Sequence, residues 1–159
     1  MTKLLQTLIF IALAVVVAAA AQLTISSGKP SELKGVTRIY ITASDKDFRD
    51  KIAGEIKKKL PQVVLTENAK EAQVWLVFRI DMRASMKNNP SFTESSPNLA
   101  MLVGPEYEVI AMGEVFRPTS QTKAHSLMKF KDSGNSILQE KFQVEFADAF
   151  VKSYQKANR

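Results

Sequence analysis

The N-terminal segment limits what the rest of the chain can fold into, because it has the pattern of an export signal. Lys3 supplies a positive charge, Leu4 to Val17 forms an apolar stretch, and the small residues Ala18 to Ala21 suit signal peptidase. We therefore predict a signal peptide at residues 1–21 and an exported chain, periplasmic or secreted. The alternative is an uncleaved N-terminal membrane anchor, since residues 4–21 as a helix would nearly span a bilayer of roughly 30 Å.

The chain contains no cysteine. Disulfides and the acylated cysteine of a bacterial lipoprotein are therefore excluded, and an exported domain must be stabilised by its hydrophobic core. Roughly 138 residues follow the signal, enough for one domain that buries about two-thirds of its unfolded surface. Residues 22–34 have few apolar side chains and predict a flexible tether, and residues 35–159 predict a single domain.

The domain is predicted to begin with a strand. Residues 36–42 alternate between apolar and polar side chains, so either Val36 and Tyr40 or Ile39 and Ile41 face inward, depending on the register.

A helix is predicted to follow this strand. Ser44 is its predicted N-cap, and Asp47 at the third helical position gives a short-armed capping box. Pro61 is predicted to end the helix. Apolar residues at a spacing of four predict one buried stripe: Phe48, Ile52, Ile56 and Leu60.

Two further strands and a long connection are predicted next. Residues 62–66 are short and β-branched, whereas residues 73–83 are apolar on both faces at first, which is typical of a central strand. Trp75 is predicted to lie in the core. The connection at residues 84–104 is longer than most loops of a compact domain, and such loops are usually either mobile or functional.

Apolar residues within this connection suggest that it binds a partner. A purely connecting segment would not need them, so we predict that a partner buries their side chains. The alternative is that residues 99–103 pack back on the sheet edge. The candidate partner-binding residues are Met86, Phe92, Leu99, Met101 and Leu102.

The last part of the chain predicts a hairpin and a helix. Residues 106–117 and 122–131 predict two antiparallel strands, and residues 137–157 predict an amphipathic helix. The buried stripe of this helix is aromatic: Phe142, Phe146, Phe150 and Tyr154. The predicted fold is therefore α+β, a single two-layer domain with a mixed sheet of about five strands and both main helices on one face.

A resemblance to known proteins rests on this order of elements. The residues that carry it are Leu33 to Val36 before a strand, Lys59 to Pro61 at the end of a helix, and Glu71 to Val74 at the start of the third strand, followed by the closing aromatic helix. The chain resembles small exported bacterial envelope modules: the periplasmic domain of the curli secretion lipoprotein, the penicillin-binding-protein activator lipoproteins and the N-terminal domain of the TolB protein. The resemblance implies a binding module that assembles with other envelope proteins, with no catalytic residues to carry over. No cofactor is predicted.

Positive charge is concentrated at one point. Lys57, Lys58 and Lys59 form the only dense basic run in a chain of net charge +6. The run falls in the predicted last helical turn, where cations complement the helix dipole. The alternative is that these lysines contact an anionic polymer or a membrane surface. Nucleic acid is not predicted as a partner, because Arg and aromatic residues are not clustered on one face.

Few residues suggest catalysis. Asp81 with Glu106 or Glu108 would supply the two carboxylates of a cell-wall or polysaccharide hydrolase. His125 is the only histidine and has no carboxylate near it in sequence. A protein-binding or assembly module of the envelope is the favoured hypothesis. The alternatives are this hydrolase and a carrier of a small apolar or lipid ligand, suggested by nine phenylalanines.

Overall fold

One six-stranded mixed sheet with two helices makes up the described part of the chain, which in this computed structural model is residues 23–84, 107–135 and 139–159. Two short 3₁₀ turns, Pro30–Leu33 and Ala69–Glu71, lie between the longer elements. The α+β fold class predicted from the sequence is confirmed. The strands are β1 (Thr24–Ser27), β2 (Arg38–Ala43), β3 (Val64–Thr66), β4 (Val74–Ala84), β5 (Tyr107–Ser120) and β6 (Lys123–Asn135), and the helices are α1 (Lys46–Lys59) and α2 (Gln139–Ala157).

The strand order across the sheet is β1-β6-β5-β4-β2-β3. The central strands β4, β5 and β6 form an antiparallel meander, β2 runs parallel to β3 and β4, and β1 runs parallel to β6. β4 is therefore an interior strand, as its apolar start predicts. Neither helix of the described ranges has the length and apolar character needed to cross a membrane.

The stretch that the sequence predicts as a flexible tether differs from that prediction. Thr24–Ser27 pairs with Lys123 to Ser126 of β6, and the Thr24 N–H donates to the Thr122 carbonyl oxygen at 2.8 Å. Leu33 is fully buried in the core. Polar side chains were misleading here, because an edge strand is held by backbone hydrogen bonds and needs few apolar residues. Within this stretch, the segment from Thr24 to Leu33 is part of the fold.

Helix α1 has the predicted stripe with a different cap. The N-cap is Asp45, whose side chain accepts a hydrogen bond from the Asp47 N–H at 2.7 Å, so the prediction of Ser44 is wrong by one residue. Serine and aspartate are both good N-caps, so residue type alone does not decide between Ser44 and Asp45. Ile52, Ile56 and Leu60 are buried and Phe48 packs against the core.

Helix α2 contributes the aromatic stripe, and its buried position is confirmed. Phe146 lies at the centre, with its ring stacked on Phe78 of β4 at 5.4 Å and tilted against Phe130 of β6 at 5.7 Å. Gly113 of β5 lies beneath it, where a β-carbon would come within 2.4 Å of the ring. Ile39 and Ile41 of β2 also face this core, which resolves the register left open by the sequence. Both helices therefore cover one face of the sheet, as predicted.

Candidate functional site

The other face of the sheet carries no helix of the described residues, and we call it the helix-free face. Side chains alternate between faces along a strand, so the neighbours of the buried positions point here. Three aromatic residues lie side by side across it: Tyr40 of β2 is opposite Trp75 of β4, which is opposite Phe116 of β5. All three are half-buried. We call these three residues the aromatic row.

The position of Trp75 corrects the prediction that it lies in the core. Its indole N–H donates to the carbonyl oxygen of Ala69, in the second 3₁₀ turn, at 2.8 Å. The hydrogen bond fixes the ring on the helix-free face and leaves part of it exposed. The sequence misled because β4 is apolar at every position from Val74 to Phe78, so its two faces looked alike. Half-exposed aromatic rings are common at protein interfaces, where they supply contact area at low entropic cost.

Polar residues border the aromatic row on β5 and β6. Glu114 accepts a hydrogen bond from the Ser126 hydroxyl and lies 3.7 Å from the Lys129 ammonium group. On β4, an Arg79 guanidinium nitrogen lies 4.0 Å from Asp81. The register places five basic and three acidic residues on this face among the described residues: Arg38, Arg79, Arg83, Lys129 and Lys131 against Asp81, Glu108 and Glu114. The face is therefore partly aromatic and net positive.

The central meander extends beyond the strands that flank it. β2 pairs with β4 only as far as Phe78, and β1 pairs with β6 only as far as Ser126. Among the described residues, the outer edges of β4 beyond Phe78 and of β6 beyond Ser126 have no strand beside them. Met82, on the β4 edge, is 62% exposed.

The predicted partner-binding connection starts and ends at this extended part of the meander. Ala84, the last residue of β4, is the register partner of Tyr107, the first residue of β5. The connection therefore leaves and rejoins the sheet at one end. The five residues predicted to contact a partner lie outside the described residues, and they stay a prediction: Met86, Phe92, Leu99, Met101 and Leu102.

Two of the three lysines at the end of α1 form ion pairs within the protein. Lys58 donates to Glu55 at 2.9 Å, and Lys59 donates to Asp148 of α2 and lies 3.6 Å from Glu55. The hydrogen bond from Lys58 holds the pKa of Glu55 below its usual value, and the bond to Asp148 raises the pKa of Lys59. Lys57 has no ion-pair partner within the described ranges. The contact of these lysines with an anionic surface stays a prediction.

The carboxylates proposed for a hydrolase are not directly opposite each other. Ile110 is the register partner of Asp81, and Arg83 is the partner of Glu108. Glu106 lies outside the described residues. Asp81 also has Arg79 beside it on the same strand. Asp81 and Glu108 are instead diagonal neighbours on the helix-free face, and such neighbours lie roughly 7–8 Å apart, within the range that a pair of catalytic carboxylates spans. Their role in a hydrolase stays a prediction.

One polar cluster was missed by the sequence reasoning. His125 of β6 lies 2.9 Å from Glu32 of the first 3₁₀ turn, measured from Nδ1 to Oε2. Arg117 of β5 donates to the backbone carbonyl of Glu32. The hydrogen bond with His125, helped by the Lys29 N–H, holds the pKa of Glu32 below its usual value. The fold joins residues 93 positions apart, and no local signal indicates such a pair.

The cluster ties the first 3₁₀ turn to β5 and β6 and has no feature of a metal centre. Within the described ranges, no group of three or more His, Asp or Glu side chains is placed to hold a metal ion.

Comparisons with known proteins give structural neighbours only. The sequence matches no protein-family model and no curated protein. Two solved structures are similar over most of the chain. Rare lipoprotein B from Shewanella oneidensis has 13% identity and a TM-score of 0.43, covering 76% of this chain and 95% of its own. An uncharacterised lipoprotein B from Nitrosomonas europaea has 13% identity and a TM-score of 0.41, covering 80% of this chain and 86% of its own. These TM-scores are too low to establish a common fold.

Proposed function

We propose that this chain is a non-enzymatic, exported module that binds another protein of the cell envelope through the helix-free face and the connection at residues 84–104. The supporting observation is the asymmetry of the sheet. One face is sealed by the two helices, whereas the other presents the half-buried aromatic row. An exposed aromatic surface bordered by charge is typical of an interface core with a polar rim.

The partner's chemistry follows from the charge of this face. Arg79 and Lys129 are close to acidic neighbours, but Arg38, Arg83 and Lys131 are basic without an ion pair in the described part of the chain. A partner protein that brings apolar side chains to the aromatic row and carboxylates to these three residues would match the face in both respects.

The two alternative functions have less support. A hydrolase rests on the spacing of Asp81 and Glu108 alone, and Arg79 and Arg83 lie beside these two carboxylates on the same face. A carrier would need room between sheet and helices, where phenylalanines instead fill the core. These phenylalanines are Phe48, Phe78, Phe130, Phe142, Phe146 and Phe150.

Site-specific photo-crosslinking in the producing cell tests the proposal. A photoreactive residue in place of Arg79, which is exposed on the helix-free face, should yield one discrete adduct with an envelope protein. The same residue in place of Lys57, on the exposed side of α1, is the matched control and should yield none. Equal adducts from both positions, or none from Arg79, would contradict the proposal.

Deleting residues 86–98 tests the part played by the connection. We expect the adduct from Arg79 to be lost while the thermal unfolding of the purified chain stays cooperative. An undiminished adduct would mean that the connection is not part of the binding surface.

A further inference from the structure

The outer edge of β6 is open for most of its length. β6 has 13 residues, and β1 pairs with only the first four of them. From Leu127 to Asn135, no strand of the described residues lies on this side. An open strand edge has unpaired backbone donors and acceptors, and another extended chain pairs with it readily.

The register shows which backbone groups point outward. Ser126 directs its carbonyl to β1, where it accepts from the Gly28 N–H at 2.9 Å. A bulge then inserts one residue, because Val115 is opposite Met128 whereas the next residue, Phe116, is opposite Ser126. Alternation beyond the bulge turns the backbone groups of Lys129, Lys131 and Ser133 away from β5. The Ser133 N–H donates to the Asp132 carboxylate at 2.8 Å, so the outward donors open to an added strand are those of Lys129 and Lys131.

The side chains along this edge favour one kind of occupant. Lys129 and Lys131 both point to the helix-free face and both are exposed, and Lys129 keeps 78% of its side chain exposed despite Glu114. A second copy of this chain that pairs with the middle of this edge fits poorly. Antiparallel pairing of two β6 edges centred on Lys131 would set two Lys131 ammonium groups opposite each other, and centring it on Phe130 would set Lys129 opposite Lys131. Like charges directly opposite are destabilising.

We propose that an extended segment of a partner protein, with carboxylates at alternate positions, adds to the sheet along β6 between Met128 and Gly134. The inference deepens the proposed function by naming the edge and the partner's chemistry, and it rests on that function. Backbone hydrogen bonds to the outward groups would supply affinity, and contacts of its carboxylates with Lys129 and Lys131 would set its register. The added strand would lie on the same side of β6 as β1, beyond the point where β1 ends.

The test uses the full chain in the producing cell, with a photoreactive residue in place of Ser133. We expect one adduct. Mass spectrometry should map it to a partner peptide that has residues typical of a β-strand and carboxylates at alternate positions. A neutral or basic peptide, a peptide from this chain, an adduct of two copies, or no adduct would each overturn the inference. If the Arg79 position still yields its adduct in such a case, the proposed function stands without this edge; if neither position does, both fail.

Three variants identify strand addition as the mode of binding. Lys131→Pro removes an outward N–H and spares the bonds to β5, a position where an edge strand tolerates proline. The adduct from Ser133 should fall about tenfold or more. Met82→Pro, at an outward N–H on the opposite open edge, is the matched control and should leave it unchanged. If Lys131→Pro does not fold, Lys129→Glu combined with Lys131→Glu, which repels an acidic strand, should cause the same loss. An adduct that resists the lysine substitutions, or is lost equally in Met82→Pro, would overturn the inference.

Discussion

The Tyr154 hydroxyl donates a hydrogen bond of 2.8 Å to the Val36 carbonyl oxygen, and both residues are buried. The bond joins the last turns of α2 to the chain just before β2, 118 residues earlier. It is one of several contacts there, since the Asn158 side chain bonds the backbone of Gly35 and Leu33. The C-terminal helix thus secures the start of the folded core.

Loss of this bond should destabilise the protein. Tyr154→Phe keeps the ring and leaves the buried Val36 carbonyl without its donor, so we expect the free energy of unfolding to fall by about 1–3 kcal/mol. Denaturant unfolding measures the change. Tyr40→Phe, on the half-buried aromatic row, is the matched control and should change stability by about 0.5 kcal/mol or less. Equal losses in the two variants would show that the hydrogen bond is not the cause.

The close approach of α2 to the sheet depends on Gly113. A β-carbon there would lie 2.4 Å from two atoms of the Phe146 ring. Gly113→Ala should therefore lower the free energy of unfolding by about 1–3 kcal/mol through overpacking. Gly54→Ala in α1, where a β-carbon meets nothing within 4 Å, should instead stabilise by about 0.5–1 kcal/mol.

A second substitution tests the cause of the Gly113 effect. Adding Phe146→Leu to Gly113→Ala relieves the clash, so the two losses should be less than additive. Fully additive losses would mean that the alanine acts elsewhere in β5.

Local patterns predicted most of this fold because its helices and central strands have strong periodicity. The stripe from Phe142 to Tyr154 alone indicated where α2 lies and which side is buried. β1 was missed because Thr24–Ser27 depends on backbone pairing with a strand about 100 residues later, which leaves no pattern in its own side chains.

The candidate site was harder to predict than the fold for the same reason. Tyr40, Trp75 and Phe116 are adjacent only through the register of three strands, and His125 meets Glu32 only because β1 lies beside β6. Residue types at a distance in sequence carry no information about such neighbours until the strand order is known.

The predicted signal peptide implies a defined N-terminus for the native protein. If residues 1–21 are a signal peptide, mass spectrometry of the chain from fractionated cells should find it starting at Ala21 or Gln22 and outside the cytoplasm. Leucine at all four of Ala18, Ala19, Ala20 and Ala21 should block processing at either site, because signal peptidase requires small residues before the cleavage site. An intact Met1 in the membrane fraction of the unmodified protein would instead indicate an anchored domain.

The Glu32–His125 contact predicts a pH dependence of stability. The hydrogen bond lowers the pKa of Glu32 in the folded protein below the ordinary value of 4.5, so the unfolded chain binds this proton more tightly. The stabilisation is therefore present above that value and is lost as the pH falls through the folded pKa. Glu32→Gln should be less stable than the parent near neutral pH, and the difference should shrink below about pH 4.5.

Glu67→Gln is the control for this measurement, since the Glu67 side chain is 90% exposed. The gap in unfolding free energy between it and the parent should stay small at every pH. If the difference in unfolding free energy between Glu32→Gln and the parent is the same at every pH, the Glu32 side chain stabilises the first 3₁₀ turn through packing and not through its charge.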